Sequence, residues 1–514
     1  MNSGSAQGTP PQEFIEKYWR PLLAILLLYV FLRSVIAAAG KVYWYDELLT
    51  QLVVSQAGWK GMMAAIHAPL DSQPPLFYLI ERLAAKLFAN QDMALRLPAA
   101  LGIVVTFACV FAYVQRRGSR TVALLSAMFL MLTAAFKYYA EEARPYSLVV
   151  ACIAFALVCY QRAAAPRWAV LLAASLILAE SLHYLAVLAM VPLGVAEIVE
   201  TLRLRKVRWR VWLALALGPV PLLFVWKLLL LNKSYYGAHH VFAGFSFSDI
   251  PQMYGEYFQS NSQFGTAIAL AALAGVAVTL LWRPTESNPE AAEISDLSEA
   301  ALLLSLIGLP FFAYAFSLAT HTGITARYAL ATVLGIALGF GFVLRRGSPR
   351  AIAVFAAFIF GAAGVGELHF WRFARGEARQ VADRAMVTEQ FLAQAGHGSL
   401  PVIVPNGNIL WMQHYLSPEV ARRFVYLTQD TQVEHDTLDR GLKLAANFSP
   451  IRVARTADFT AANPEFLVYM EGAEPGQRWL TSRMLEEGWS VLQLRYDASR
   501  ELYLVKHENT KAVP

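Results

Sequence analysis

The chain has few cysteines and few charged residues for its size. Only three of its 514 residues are cysteine, and Cys109, Cys152 and Cys159 all lie inside apolar runs. A thiol in such a run behaves as a small hydrophobic group, which argues against a disulfide framework. Charged residues make up 16% of the chain and apolar residues 57%. This balance excludes an ordinary water-soluble globule.

Several short motifs of soluble enzymes are also missing. After about residue 367 there is no glycine-rich phosphate loop, no zinc-type Cys/His spacing and no nucleophile elbow. The first apolar run is not followed by a small-residue cleavage site and a soluble domain, so we interpret it as a retained helix.

Long apolar runs dominate the first 366 residues. A helix crosses roughly 30 Å of hydrocarbon with about 20 residues, so each run is long enough to span a membrane. We therefore predict a polytopic α-helical membrane protein with about 11 spans. The predicted spans lie near residues 21–39, 94–114, 121–136, 146–161, 167–181, 184–200, 211–231, 265–282, 300–319, 326–344 and 350–366.

Basic residues concentrate in alternate connections between these spans. They lie at residues 116–120, 162–167, 203–210 and 345–350, on the same side as the N-terminal tail, residues 1–20. The positive-inside rule places this side in the cytoplasm, and an odd number of spans then places the C-terminus outside. The net charge of +6 therefore reports membrane topology, and we expect no nucleic-acid partner.

The sequence pattern changes after residue 366. Short apolar or alternating runs such as Pro401–Val404, Phe466–Tyr469 and Leu502–Val505 are separated by charged, helical-looking stretches. They predict an extracytoplasmic α/β domain over residues 367–514, large enough to bury its own core. The transmembrane domain is predicted over residues 21–366.

The first predicted outer loop, residues 40–93, begins with two adjacent carboxylates. Asp46 and Glu47 follow the first apolar run and precede an amphipathic stretch over residues 48–59. Paired carboxylates at the mouth of a membrane segment are our leading catalytic candidates. The alternative is a solvated helix N-terminus, where a carboxylate contributes roughly 0.3–1 kcal/mol by complementing the helix dipole.

The same loop continues with a second polar group. His67, Asp71 and Gln73 precede the pair Pro74–Pro75, which fixes the backbone before a helix-like run. These three residues are candidates for substrate binding. The alternative is that they form hydrogen bonds that fix the loop, and we favour this role over a catalytic one.

Two further outer connections carry charged and aromatic residues. The first holds Glu141, Glu142, Arg144 and Tyr146, and either substrate contact or a local ion pair accounts for them. The second runs from His321 to Arg327 and Tyr328 at the start of the tenth predicted span. Arg327 is a candidate ligand for a phosphate, or alternatively extends its guanidinium to the membrane interface.

Together these residues resemble a family of membrane enzymes. The sequence is similar to the GT-C glycosyltransferases that use sugars linked to polyprenyl phosphate, the group that contains the protein O-mannosyltransferases and the bacterial aminoarabinose transferases of lipid A. The resemblance covers roughly residues 20 to 345. It rests on Asp46–Glu47, Pro74 to Tyr78, Leu95 to Pro98, Tyr139 to Tyr146, and Arg327–Tyr328. The chain departs from the pattern at Gln73, where relatives often have His, and in the helix after Tyr328, which lacks the prolines often found there.

The resemblance implies a mechanism and a location. Asp46 would accept the acceptor's proton and Glu47 would orient the acceptor, in a displacement that inverts the anomeric carbon. Arg327 and Arg144 would hold the lipid phosphate, because a guanidinium offers paired donors suited to phosphate oxygens. Tyr328 and His321 would add hydrogen bonds. The active site would face outward from a bacterial cytoplasmic (inner) membrane, and hexosyl or pentosyl groups would pass to a lipid, glycan or protein acceptor.

Cofactors and two other functions stay open at this point. No nucleotide site is required, and the many outer carboxylates leave a divalent metal open although no ligand spacing is diagnostic. A secondary transporter or lipid flippase would place ionisable residues inside spans and show an internal repeat. A non-catalytic envelope assembly protein would tolerate loss of the outer-loop carboxylates.

Overall fold

The computed structural model describes residues 10–88, 90–237, 245–282, 294–428, 437–472, 478–497 and 499–507. It divides the chain into two compact units. The helical unit comprises Met1–Ala39 and Gln73–Ala374, and the loop–sheet unit comprises Gly40–Ser72 and Arg375–Pro514.

The helical unit consists of apolar helices joined by short connections. Its α-helices are Pro10–Ala39, Pro75–Leu87, Gln91–Ala94, Leu97–Val114, Arg120–Phe129, Ala134–Lys137, Tyr146–Tyr160, Pro166–Leu182, Val191–Leu204, Trp209–Leu217, Val220–Gly237, Ile250–Tyr257, Ser262–Trp282, Asp296–Ile307, Leu309–Thr320 and Thr332–Leu344, followed by the start of Pro349–Ala393. Short 3-10 turns cover Leu130–Leu132, Tyr139–Glu141, Tyr184–Met190, Phe247–Asp249 and Ala326–Ala329.

Within the described ranges, six helices are long and apolar enough to cross a membrane, and the number rises to eight if each of two bent pairs is one span. One pair bends by 60° between Ile307 and Leu309, where Gly308 ends one helix and Pro310 opens the next. Two shorter apolar helices, Tyr146–Tyr160 and Thr332–Leu344, accompany them. The chain is therefore a multi-pass helical membrane protein. The count of about 11 spans and the orientation stay predictions.

One ion network joins three connections of the helical unit. The side chains of Arg117 and Arg345 each contact both Asp296 and Glu299, at 2.5–2.9 Å, and Arg346 also pairs with Asp296. We call these five residues the arginine cluster. Glu299 is only 2% exposed, so its ion pairs with Arg117 and Arg345 are buried.

The loop–sheet unit contains a six-stranded sheet, as predicted for the C-terminal region. Its strands are β1 Val402–Ile403, β2 Phe424–Thr428, β3 Arg452–Arg455, β4 Glu465–Glu471, β5 Trp489–Tyr496 and β6 Arg500–His507. They are arranged in the order β3-β2-β1-β4-β6-β5. Strands β1 to β4 pair in parallel, whereas β6 pairs antiparallel with β4 and β5. The five central residues of β4 are buried, as expected for a strand covered on both faces.

The helices of this unit come from both ends of the chain. They are Tyr45–Ser55, Gly58–His67, Asn408–Tyr415, Pro418–Ala421, Thr437–Ala446, Thr456–Ala462 and Trp479–Glu486. The loop treated as a single segment in the sequence is thus divided. Residues 40–72 pack with the sheet, and residues 73–93 are part of the helical unit.

Hydrogen bonds tie the Tyr45–Ser55 helix to the C-terminal part of the loop–sheet unit. Before the helix, the main-chain N–H of Tyr43 donates to the hydroxyl of Tyr415 at 3.0 Å. After the helix, the side-chain amide of Gln56 donates to the main-chain oxygen of Phe448 at 2.8 Å. The sheet-containing region therefore holds the helix at both ends.

Candidate active site

The two adjacent carboxylates occupy different settings in the first turn of the Tyr45–Ser55 helix. Glu47 is fully buried, and its Oε2 accepts the main-chain N–H of Trp44 at 3.2 Å. A glutamate that reaches back in this way satisfies an N–H group that the helix leaves without a helical partner. Asp46 is half-buried one position earlier. The geometry therefore gives Glu47 a structural contact at the helix start.

Aromatic residues fix the approach to this helix. The hydroxyl of Tyr45 lies so close to Gly441 that a Cβ atom at that position would be 2.8 Å from it. The ring of Tyr43 packs against His414 with ring centres 5.4 Å apart. Any side chain at Gly441 would therefore displace Tyr45, the residue next to Asp46.

The second polar group of the loop makes local contacts. The ring Nδ1 of His67 lies 2.7 Å from the main-chain oxygen of Met63, and the side chain is exposed. Asp71 is buried and its Oδ2 accepts the hydroxyl of Thr50 at 3.0 Å. Gln73 is also buried. These contacts favour the loop-fixing interpretation for His67 and Asp71.

Glu141 takes part in an ion pair that the sequence pattern did not reveal. It pairs with Arg33, which lies 108 residues earlier in the chain. The Arg33 guanidinium lies between two rings, 3.8 Å from the centre of Phe370 and 4.8 Å from that of Phe136. Glu367 approaches the same guanidinium at 3.7 Å. The structure thus gives Glu141 a long-range ion pair, which differs from the local pair considered from the sequence.

Arg327 lies beside aromatic rings at a small cavity of about 20 Å³. Its guanidinium carbon is 5.7 Å from the ring centre of Tyr146 and 5.5 Å from that of Tyr328, distances at which ring faces attract a cation. We call this the arginine–tyrosine cavity. Its lining consists of Tyr146, Val149, Val150, His183, Ala186, Ala189, Arg327, Tyr328, Leu330 and Ala331.

His183 is a cavity residue that the sequence reasoning missed. Its ring lies 5.5 Å from that of Tyr146 and 5.2 Å from that of Tyr328. The buried Arg144 and the partly buried Arg327 both act electrostatically on this ring. The only advance signal was a histidine between two apolar runs.

The remaining predicted residues divide between this neighbourhood and the surface. Glu142 is fully buried, and its charge and that of Arg327 both act on Tyr139. His321 ends the Leu309–Thr320 helix in a left-handed conformation, with a φ of 53°, and is exposed. It does not line the cavity. The cavity thus gathers Tyr146, Arg327 and Tyr328 directly, with Arg144 nearby.

A metal centre would need several ligands within reach of one another. Among the residues that the structure describes, no group of three or more His, Cys, Asp or Glu side chains could hold a metal ion. The divalent metal that the sequence left open therefore gains no candidate ligands in these ranges.

A family comparison covers the middle of the chain. Residues 72–226 match the family model described as dolichyl-phosphate-mannose-protein mannosyltransferase. This segment includes Arg144, Tyr146 and His183 but neither Asp46 nor Arg327. The match confirms the predicted resemblance to glycosyltransferases that use sugars linked to lipid phosphates, and with it the predicted enzyme class. No curated protein matches the chain in sequence.

Solved structures of two enzymes are similar over most of the chain. ArnT from Cupriavidus metallidurans bound to undecaprenyl phosphate is 15% identical, with 95% of this chain and 98% of that chain covered, at a TM-score of 0.44. Its apo state has the same identity and coverage, at a TM-score of 0.45. The Archaeoglobus fulgidus oligosaccharyltransferase tethered to an acceptor peptide is 10% identical, with 89% and 70% covered, at 0.43. At these scores the similarities add nothing to the family match.

Proposed function

We propose that this protein transfers a sugar from a polyprenyl-phosphate donor to an acceptor at the outer face of a bacterial cytoplasmic membrane. The observation that carries the proposal is the arginine–tyrosine cavity. It combines the guanidinium of Arg327, the phenol groups of Tyr146 and Tyr328, and a wall of small apolar side chains. An anionic head group on an apolar chain matches both parts of this lining.

The proposed reaction is a single displacement. The acceptor's oxygen or nitrogen forms a bond to the anomeric carbon, while the bond from that carbon to the phosphate oxygen breaks on the opposite face. The acceptor's proton passes to the Asp46 carboxylate, and the electron pair of the broken bond stays on the polyprenyl phosphate. Asp46 is therefore the general base, and the anomeric carbon is inverted.

Charge develops on the phosphate as the sugar leaves. Arg327 stabilises this charge with two parallel N–H donors, and Arg144 contributes a second cation. Tyr328 adds a hydroxyl donor, Tyr146 supports Arg327 with its ring face, and Glu142 balances the local positive charge. Glu47 supports the helix that carries Asp46.

The experiment compares Asp46→Asn with Glu47→Gln in the purified full-length protein, using polyprenyl-phosphate-linked pentoses and hexoses as donors. Loss of a general base reduces the transfer rate by about 10²–10⁴-fold, so we expect that loss for Asp46→Asn. A glutamine at position 47 still offers an oxygen to the Trp44 N–H, so Glu47→Gln is expected to stay within about fivefold of wild type. Near-normal transfer by a folded Asp46→Asn protein would contradict the role of Asp46.

A further inference from the structure

His183 is held in one protonation form by a backbone contact. It precedes the Tyr184–Met190 turn, and its Nδ1 accepts the main-chain N–H of Leu185 at 3.1 Å. A nitrogen that accepts this bond carries no proton. The ring is therefore neutral, and its proton is on Nε2, since a neutral imidazole has one donor and one acceptor nitrogen.

The Nε2–H group remains as an available donor at the cavity. His183 is only 7% exposed and lines the arginine–tyrosine cavity. Across the described ranges, its recorded hydrogen bond is the one made by Nδ1, and Nε2 has no protein partner. Because His183 lines the cavity, a ligand atom in the cavity is a natural partner for this N–H group.

The residues around His183 disfavour protonation of its ring. Arg144 and Arg327 both interact repulsively with a protonated His183, and two aromatic rings, those of Tyr146 and Tyr328, lie within 5.5 Å of it. The neutral Nε2–H donor of His183 thus lies close to two cationic side chains. The cations supply charge, whereas the imidazole supplies a hydrogen bond with a fixed direction.

We propose that His183 contacts the substrate as a neutral donor, with its Nε2–H bonded to a phosphate oxygen of the lipid-linked sugar. This inference rests on the proposed function of the cavity. Transfer converts a phosphodiester with one negative charge into a phosphomonoester with up to two. The bond from Nε2–H therefore strengthens as the sugar leaves, and His183 favours the leaving group over the intact donor.

Two substitutions separate this role from a structural one. In His183→Asn, the amide oxygen takes the place of Nδ1 and still caps the Leu185 N–H, but the Nε2 donor is lost. In His183→Gln, the amide nitrogen reaches toward the place of Nε2, but the cap is lost. A structural role predicts that Gln is the more harmful change, and a phosphate contact predicts the opposite.

The test measures binding of undecaprenyl phosphate and of inorganic phosphate to the purified full chain. We expect His183→Asn to weaken undecaprenyl phosphate binding about 10-fold, the size of one hydrogen bond to a charged group, and His183→Gln to stay within about threefold of wild type. The apolar lining predicts much weaker binding of inorganic phosphate. Unchanged binding in His183→Asn overturns the inference, as does a larger loss in His183→Gln.

Arg327→Ala distinguishes failure of this inference from failure of the proposed function. If Arg327→Ala loses binding while His183→Asn keeps it, the cavity binds phosphate without His183. If both bind like wild type, the cavity is not the phosphate site and both proposals fail.

The protonation form is tested separately by pH. The ratio of Kd between His183→Asn and wild type is expected to stay constant from about pH 6 to 8, because a neutral ring does not change charge there. A ratio that increases as the pH falls through about 6.5, the usual histidine pKa, would overturn the neutral form.

Discussion

Two groups of arginines in the helical unit are held in opposite ways. In the arginine cluster, Arg117 and Arg345 each contact two carboxylates at 2.5–2.9 Å. In the arginine–tyrosine cavity, Arg327 lies against the ring faces of Tyr146 and Tyr328. The same residue type therefore serves two purposes. Carboxylates bind the N–H edge of a guanidinium, whereas an aromatic ring contacts its flat face.

This difference distinguishes arginines that stabilise the fold from an arginine that is suited to bind a ligand. A carboxylate-paired arginine is already neutralised, and removing its partner leaves a buried charge. Arg327 instead lies against two aromatic rings that line a cavity. Substitutions in the first group should therefore change stability, and substitutions in the second group should change donor use.

The largest effect is expected for Arg327→Ala. Loss of a cationic donor at a developing oxyanion reduces the rate by about 10²–10³-fold, so we expect kcat/KM for the lipid-linked sugar to fall by that factor. Arg327→Lys should recover part of this loss, because an ammonium keeps the charge but not the paired donors. The unfolding midpoint in detergent should stay near wild type. Donor titrations that match wild type for both variants would instead indicate an interfacial arginine.

The next effect concerns the arginine cluster. Glu299→Gln removes the buried carboxylate that both Arg117 and Arg345 contact. Breaking such a buried pair lowers the free energy of unfolding by about 3–5 kcal/mol. We expect a lower unfolding midpoint in detergent and an unchanged Kd for undecaprenyl phosphate. The control is Glu16→Gln, whose partner Arg120 is exposed and 3.6 Å away, because surface pairs contribute about 0–1 kcal/mol. Equal midpoints for the two variants would remove the distinction between the groups.

The smallest effect is expected for Tyr146→Phe. The ring that supports Arg327 is kept, so kcat/KM for the donor should change by less than about threefold, whereas Tyr146→Leu removes a cation–ring contact of about 0.5–2 kcal/mol and should reduce it further. Equal losses in both variants would show that the hydroxyl matters and the ring face does not.

The sequence predicted membrane spans, a C-terminal sheet and the polar loops, because these depend on local composition and period. It assigned Asp46 and Glu47 different roles only through the resemblance, and it could not show the hydrogen bond from Trp44 to Glu47, which forms only when the helix begins at Tyr45. The sequence also could not reveal the position of His183 at the cavity. That position depends on contacts with the rings of Tyr146 and Tyr328, which are far away in the chain.

The sequence also could not predict ion pairs between residues that are far apart in the chain. The acidic connection over residues 286–299, which contains proline and serine, predicts a solvated linker. This is wrong for Asp296 and Glu299, which pair with arginines from two other connections. Residues 286–293 lie outside the described residues. Nor could hydropathy show that residues 40–72 belong to the same compact unit as the sheet.

The packing of the Tyr45–Ser55 helix also has a consequence for the order of folding. Hydrogen bonds join its flanking residues Tyr43 and Gln56 to Tyr415 and Phe448, which lie 372 and 392 residues later in the chain. The helix therefore cannot complete its packing until synthesis has passed Phe448, since contacts between distant segments form only after both exist. The residue that we propose as the base thus reaches its final setting long after it has been made.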